Sequence, residues 1–444
     1  MVYLDAPRRR RSGNRGWAIA AALLWIIAAA LVVLYLYDVR TDASAAESRP
    51  STTETAATET AATETAATET AATGPATLDG EQGPAVAASS APATLPTTTA
   101  APTTTEALTT TTAPTTTTTK PPSLFVAAGG DILADRRVGT FMDKNGGEAV
   151  FAHVRPLLET AQLAFVNLEG PISDKGTRAT WKEYTFRGRP AMIDGLVSAG
   201  IDVVSLANNH SNDYGASALL DTIARLDEAG VHQAGAGADA AAASAPAILL
   251  TPAGAVAVLA FTEIIPGGFT AGSGTPGVNA TTPSRKKLLA DVAAANRKAD
   301  YVIVSFHWGK EYEPRANYEQ RKLAHRVVDA GADLVIGHHP HVIQGLELYR
   351  NRLIAYSLGD FVWDHYSVET GETFVLRVRA PRAGPPSAEM VPVYLDESTG
   401  VPKPVTGKHA ASILSRLARL SSDLGVELMV SGDRAFFNTT EDTE

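Results

Sequence analysis

Hydrophobic positions are unevenly spread along this chain. One uncharged run covers residues 17–37, and, alanine apart, almost nothing apolar follows until residue 122. From there short apolar runs alternate with longer amphipathic stretches. The runs at 123–128, 163–166, 202–206, 255–261, 301–306, 334–336, 353–357, 374–378 and 390–394 read as strands. Most are continuous rather than alternating, as expected of strands buried on both faces. Between them, residues 149–161, 191–199, 216–229, 283–298 and 314–330 read as helices, and 410–420 as a late one. In 216–229 the residues Leu219, Leu220, Ile223 and Leu226 share a face, and Gly230 stops the helix. Strands alternating with helices predict an α/β sheet, in which ligands gather beyond the carboxyl ends of the strands.

The first 121 residues are of a different kind. Arg8, Arg9, Arg10, Arg11 and Arg15 precede the run at 17–37, which is long enough to cross a bilayer as a helix. Trp17, Tyr35 and Tyr37 stand where interfacial aromatics belong. Residues 1–16 then form a cytoplasmic basic tail, and everything beyond the single pass lies outside the cell membrane. The rival reading is a cleaved leader, with Ala43-Ser44-Ala45 as its small-residue site. Residues 38–121 repeat TETAA and then threonine–proline tracts. They offer too little apolar surface to offset ordering entropy, so a disordered stalk is expected, or a mere linker. The folded domain is expected over 122–380, with 381–444 as a C-terminal extension packed on it and an acidic tail.

Composition changes this picture in two ways. The net charge of −10 argues against general nucleic-acid binding. The absence of cysteine excludes disulfides and thiolate-ligated metals. No GxxxxGK[ST] loop and no GxSxG elbow is present, which closes those nucleotide and serine-nucleophile routes.

The chemistry lies at the strand ends. Asp131, then Asn167 and Glu169, then Asn208, Asn209 and His210, then His307, then His338, His339 and His341 each follow or finish a run. Carboxylates mixed with imidazoles suit manganese, iron or zinc, sometimes as a pair of ions sharing a carboxylate. Arg136, Glu311 and Asp360 are further candidates: an arginine able to reach an anionic substrate, a carboxylate behind a ligand histidine, and the same or a turn cap. Trp308 and Trp363 can wall the cleft. Asp213 and Asp221 read as acids on a solvated face.

The ordered words GGDI at 129–132, NLEGPIS at 167–173, SLANNHSNDYG at 205–215, FHWGKEY at 306–312, VIGHHPHVIQG at 335–345 and IAYSLGDF at 354–361 resemble the CapA family of capsule or poly-γ-glutamate synthesis proteins. The resemblance spans residues 123–365. It implies a calcineurin-like metallophosphoesterase fold, two mixed β-sheets flanked by helices. It also implies a membrane-anchored domain facing outward. Carried over by motif, Asp131 matches the first metal aspartate and Glu169 the bridging carboxylate. Asn209 and His210 match the Asn-His pair, one binding metal and the other facing the substrate as acid or charge stabiliser. His307 matches the middle metal histidine, and His339 and His341 the final pair. G-H-H-P-H permits a second register with His338 in place of His339. Two departures stand out: Leu133 occupies the position of a usual metal histidine, and Glu169 replaces the usual aspartate. The resemblance thus implies one ion held tightly by Glu169, Asn209, His307 and His339. A second would be held weakly by Asp131, Glu169 and His341. The expected function is a metal-dependent hydrolase or transferase of capsule or exopolymer synthesis or export. It would work with polymer-synthesis or export subunits on an anionic polymer or a phosphorylated envelope substrate. The alternative is a non-catalytic, metal-stabilised scaffold of a polymer-exporting complex.

Overall fold

The computed structural model describes residues 123–282 and 284–438. The basic tail, the apolar run and the stalk expected before residue 122 lie outside the described residues. Among the described residues no helix is long and apolar enough to cross a membrane.

Two mixed sheets form the centre. The first contains β1 (Leu124–Ile132), β2 (Leu163–Leu168), β3 (Val203–Ser205) and β4 (His232–Ala234), which run parallel. The second contains β6 (Ala247–Thr251), β7 (Gly254–Thr262), β9 (Tyr301–His307), β10 (Leu334–His338), β11 (Leu346–Tyr349) and β12 (Arg352–Ala355) in the order β11-β12-β10-β9-β7-β6. A small pair, β5 (Ala236–Gly237) and β8 (Gly277–Val278), stands apart. The first sheet is extended by β13 (Asp360–Val362), β14 (Glu372–Ala380), β15 (Ser387–Leu395), β16 (Pro402–Pro404), β17 (Met429–Ser431) and β18 (Arg434–Phe437). Its main order is β17-β18-β15-β14-β1-β2-β3-β4, with β13 on β1 and β16 on β15. The four strands within residues 387–437, expected as part of an extension, are therefore hydrogen-bonded into the same sheet, with the expected late helix running Gly407–Ser422.

The period of two along each strand explains the layering. Val126, Phe165, Ile303 and Ile336 point inward and share one core in which the two sheets face each other. Ala127, Ala164 and Val204 point outward from the first sheet onto Val138, Phe151, Leu196 and Leu219 of its helices. Val302, Val304 and Val335 point outward from the second sheet onto Leu288, Val292, Leu323 and Val327. Each central strand is buried on both faces, which is why its apolar run is continuous. The result is the architecture the resemblance implied: two mixed sheets flanked by helices.

Several boundaries differ from the expected ones. The stretch 149–161 breaks into two short helices, Glu148–Phe151 and Arg155–Leu158. A helix at Arg136–Asn145 was not expected, because only Val138, Gly139 and Met142 of its ten residues are buried. Asp135 starts it by accepting from the Arg136 amide. The expected helix 283–298 runs Arg285–Asn296, and its first expected residue, 283, lies outside the described residues.

Candidate metal centre

The parallel strands of both sheets direct their carboxyl ends to one place. In β1 the register against β2 slips between Ala128 and Asp131. The slip is a bulge at Gly129-Gly130 that re-aims Asp131. Gly130 has no alternative, since a Cβ there would stand 1.8 Å from the Gly359 carbonyl oxygen. Asn167 is the last but one residue of β2, and Glu169 follows the strand with its amide donating to the Ile132 carbonyl. After β3 the Asn208 side-chain oxygen accepts from the amides of His210 and Ser211, which fixes the turn carrying Asn209 and His210. His307 and His338 end β9 and β10 and pair with each other in register. Past β10 the chain takes positive φ at His339 (94°) and His341 (57°). Backbone strain of this kind persists where surrounding contacts hold it. Here the His339 amide donates to Asp131 Oδ2 at 3.1 Å.

These elements bury Asp131, Glu169, Asn209, His307, His339, His341 and Asp360 together. His307 Nε2 lies 2.6 Å from Asn209 Oδ1 and 3.6 Å from Glu169 Oε1. The His307 and His339 rings are 4.7 Å apart. Three sets bring one ligand atom per residue within 4.8 Å of each other: Glu169 with His339 and His341, Asp131 with Glu169 and His307, and Asp131 with His341 and Asp360. Glu169 Oε1 and His339 Nδ1 are buried without a hydrogen-bond partner. Buried polar atoms left unpaired beside other ligand atoms are what a cation site looks like without its ion. The residues present therefore fit a divalent metal.

The supporting residues are placed as follows. Asn167 Nδ2 donates to Asp131 Oδ1 at 2.9 Å and lies 3.4 Å from Glu169 Oε2. Asn208 Nδ2 in turn donates to Asn167 Oδ1 and to the Leu168 carbonyl. His338 is fully buried behind the site against Phe165, with Nδ1 3.1 Å from Asp131 Oδ1. His339, not His338, stands beside Glu169 and His341. Arg136 is part-exposed, stacked over Phe186 at 4.6 Å. Glu311 does not sit behind a ligand histidine: it is exposed, while its neighbour Tyr312 stays beside the site, its amide donating to the Pro340 carbonyl and its ring 6.2 Å from that of His341. Trp308 does not wall the cleft either, being buried in the outer core between Phe306 and Tyr356. Trp363 does line it, 4.8 Å from the His341 ring.

The family's sequence profile, described as bacterial capsule synthesis protein PGA_cap, matches residues 125–365. The chain belongs to that family. It is 30% identical over 295 residues to the PGA biosynthesis protein CapA of Bacillus subtilis, covering 66% of this chain and 77% of the relative. It is 34% identical over 284 residues to the capsule biosynthesis protein CapA of Bacillus anthracis, covering 62% and 68%. A probable polyglutamine synthesis accessory protein of Mycobacterium tuberculosis is 34% identical over 228 residues, covering 49% and 60%.

In this PGA_cap protein the loop 174–187, which has no helix or strand, closes the site from the side of His210. Lys182 Nζ donates to Asp213 Oδ1 at 2.6 Å and to the Asn209 carbonyl. Asp213 Oδ2 accepts from the Phe186 amide and lies 2.7 Å from His210 Nδ1. Phe186 stacks on the His210 ring with centroids 4.0 Å apart. Asp213 is thus fully buried, contrary to the solvated face expected of it. Asp221 is also engaged, by Ser173, Lys175 and Arg225. Lys182 and Phe186 carry no motif signal, because an irregular loop places them.

Burial sets most of the titration. It pushes His210 down to about 4, against a partial counter-pull from Asp213. Burial and the neighbouring imidazoles hold His307 well below the ordinary value and His339 at about 3. Burial acts to lower His341 too, but the charge and hydrogen bond of Asp360, with the charges of Glu169 and Asp131, carry it up to about 10. Burial and then the Asp131 charge push Glu169 well above the usual carboxylate range. Burial also acts to raise Asp131, but contacts with His338 and His341 and the His339 amide hold it low.

Proposed function

We propose that the protein is a membrane-anchored, metal-dependent hydrolase or transferase of the cell envelope, serving the synthesis or export of a poly-γ-glutamate-type capsule polymer. The observation that carries this reading is the buried meeting of carboxylates and imidazoles from both sheets, with Glu169 Oε1 and His339 Nδ1 left unpaired. Glu169, Asn209, His307 and His339 would hold one divalent transition metal, manganese, iron or zinc. Asp131, Glu169 and His341 would contribute to a second position. The bound metal supplies Lewis acidity toward a substrate oxygen.

The protein's own residues supply the rest. With Nδ1–H donated to Asp213, His210 presents an unprotonated Nε2 to the site. Its low pKa keeps it neutral near pH 7 and makes it, once protonated, a strong acid toward a leaving group. Phe186 stacks on this ring and covers one face from water, and Lys182 holds Asp213, the carboxylate that orients it. Arg136, over Phe186, offers a cation to an anionic polymer or a phosphorylated envelope substrate.

The arginines before residues 17–37 support an N-terminus in the cytoplasm and a folded domain outside. Membrane subunits of polymer synthesis or export are the matching partners. The test is the full chain purified in detergent, assayed for metal content and against phosphoester and γ-glutamyl substrates. Turnover that needs metal and fails in His210→Ala supports the proposal. Bound metal without turnover on either class makes the protein a metal-stabilised scaffold instead.

A further inference from the structure

Relatives of this fold were expected to place a histidine where this chain has Leu133, leaving the second metal position one ligand short. Leu133 is fully buried in a small apolar cluster with Phe186, Trp363 and Leu395, and so forms part of the wall. The neighbouring strand supplies something else. β13 lies parallel to β1 with Asp360 in register with Asp131. The Asp131 amide donates to the Gly359 carbonyl and the Leu133 amide to the Val362 carbonyl, so the two strands are locked at this level. Asp360 is 1% exposed, and its Oδ1 lies 2.7 Å from His341 Nδ1. His341 Nδ1 is in turn 3.9 Å from Asp131 Oδ2. One ligand atom each from Asp131, His341 and Asp360 fall within 4.8 Å of one another.

We propose that Asp360 is a metal ligand, taking the place that Leu133 leaves empty at the second position. This deepens the metal-centre reading above and rests on it. The second position then has Asp131, Glu169, Asp360 and His341, as many protein ligands as the first. The two sets differ in kind. Three carboxylates and one imidazole make a harder site than the two imidazoles, one amide and shared carboxylate of the first. The second position is accordingly suited to manganese, and the unequal occupancy implied by Leu133 alone disappears.

The test uses the full chain, stripped with chelator and titrated with Mn2+ by calorimetry. Wild type should bind two ions. Asp360→Asn, whose amide oxygen can still accept from His341, should bind the second about tenfold or more weakly and leave the first unchanged. Crystals soaked in Mn2+ and measured at its absorption edge should show an anomalous peak bonded to an Asp360 oxygen. This second measurement needs no variant, so it decides the matter should Asp360→Asn fail to fold. Unchanged affinity at both positions, or two ions with Asp360 touching only His341, overturns the role of Asp360 and spares the metal centre. No Mn2+ bound to wild type overturns both.

Discussion

Replacing Asp213 with alanine should cost far more than its place in a polar loop suggests. Its carboxylate is fully buried and has three partners: Lys182 Nζ at 2.6 Å, the Phe186 amide at 2.7 Å and His210 Nδ1 at 2.7 Å. Breaking a buried ion pair by removing one member typically costs about 3–5 kcal/mol, because the other charge is stranded. The Phe186 amide, left unpaired, adds about 1–3 kcal/mol. Lys182 retains 13% exposure and keeps the Asn209 carbonyl, so it recovers part of its hydration. The net expectation is about 4 kcal/mol for Asp213→Ala. Lys182→Met in the same background should cost little more, because the pair is already broken, giving a coupling of about 2 kcal/mol. Urea unfolding of the chelated full chain, followed by tryptophan fluorescence, measures both. A loss below about 1 kcal/mol, the value of an exposed pair, would refute the burial argument.

The metal-free protein should lose stability toward both acid and alkali. His210 has a folded pKa of about 4 against an ordinary 6.5, so the unfolded chain binds more protons in that window and stability falls by about 3 kcal/mol as pH drops from 6.5 to 4. His341, raised to about 10, contributes stability that is complete below pH 6.5 and is lost as pH climbs toward 10. A urea midpoint that stays flat between pH 7 and 4.5 would contradict the first part. Gly337→Ala should destabilise by about 3 kcal/mol or more, since its Cβ would stand 1.9 Å from the Tyr356 carbonyl oxygen and 2.5 Å from Trp308 Nε1. Thermal melting of that variant within about 2 °C of wild type would show that the strand yields easily.

The strands and the strand-end clusters were legible because they follow from one constraint. A sheet buried on both faces needs continuous apolar runs, and a chain leaving such a run must turn where ligands collect. The bulge that aims Asp131 was half visible in Gly129-Gly130, but its cause, the approach of Gly359, is a contact across 229 residues of chain. Asp213 was misread because NNHSND looks polar throughout, and burial there is imposed by the loop 174–187 folding over it. That loop has no periodicity, so Lys182 and Phe186 left no mark. Asp360 was visible as a carboxylate behind a ligand histidine or as a turn cap, but its pairing with Asp131 depends on β13 returning to the carboxyl end of β1. Glu311 differs for the opposite reason: closeness in sequence to His307 does not bring a side chain into the site when it points to solvent, although the next residue, Tyr312, stands against His341.

The central claim is that the buried cluster holds metal, and the metal content of the purified full chain tests it most directly. By mass spectrometry of the metals, wild type should carry a tightly bound divalent transition ion after extensive dialysis. His307→Ala should lose the ion of the first position while remaining folded by circular dichroism, because this imidazole lies beside Asn209 and Glu169. A wild type that holds no transition metal even after reloading, or a His307→Ala protein with wild-type content, would contradict the account.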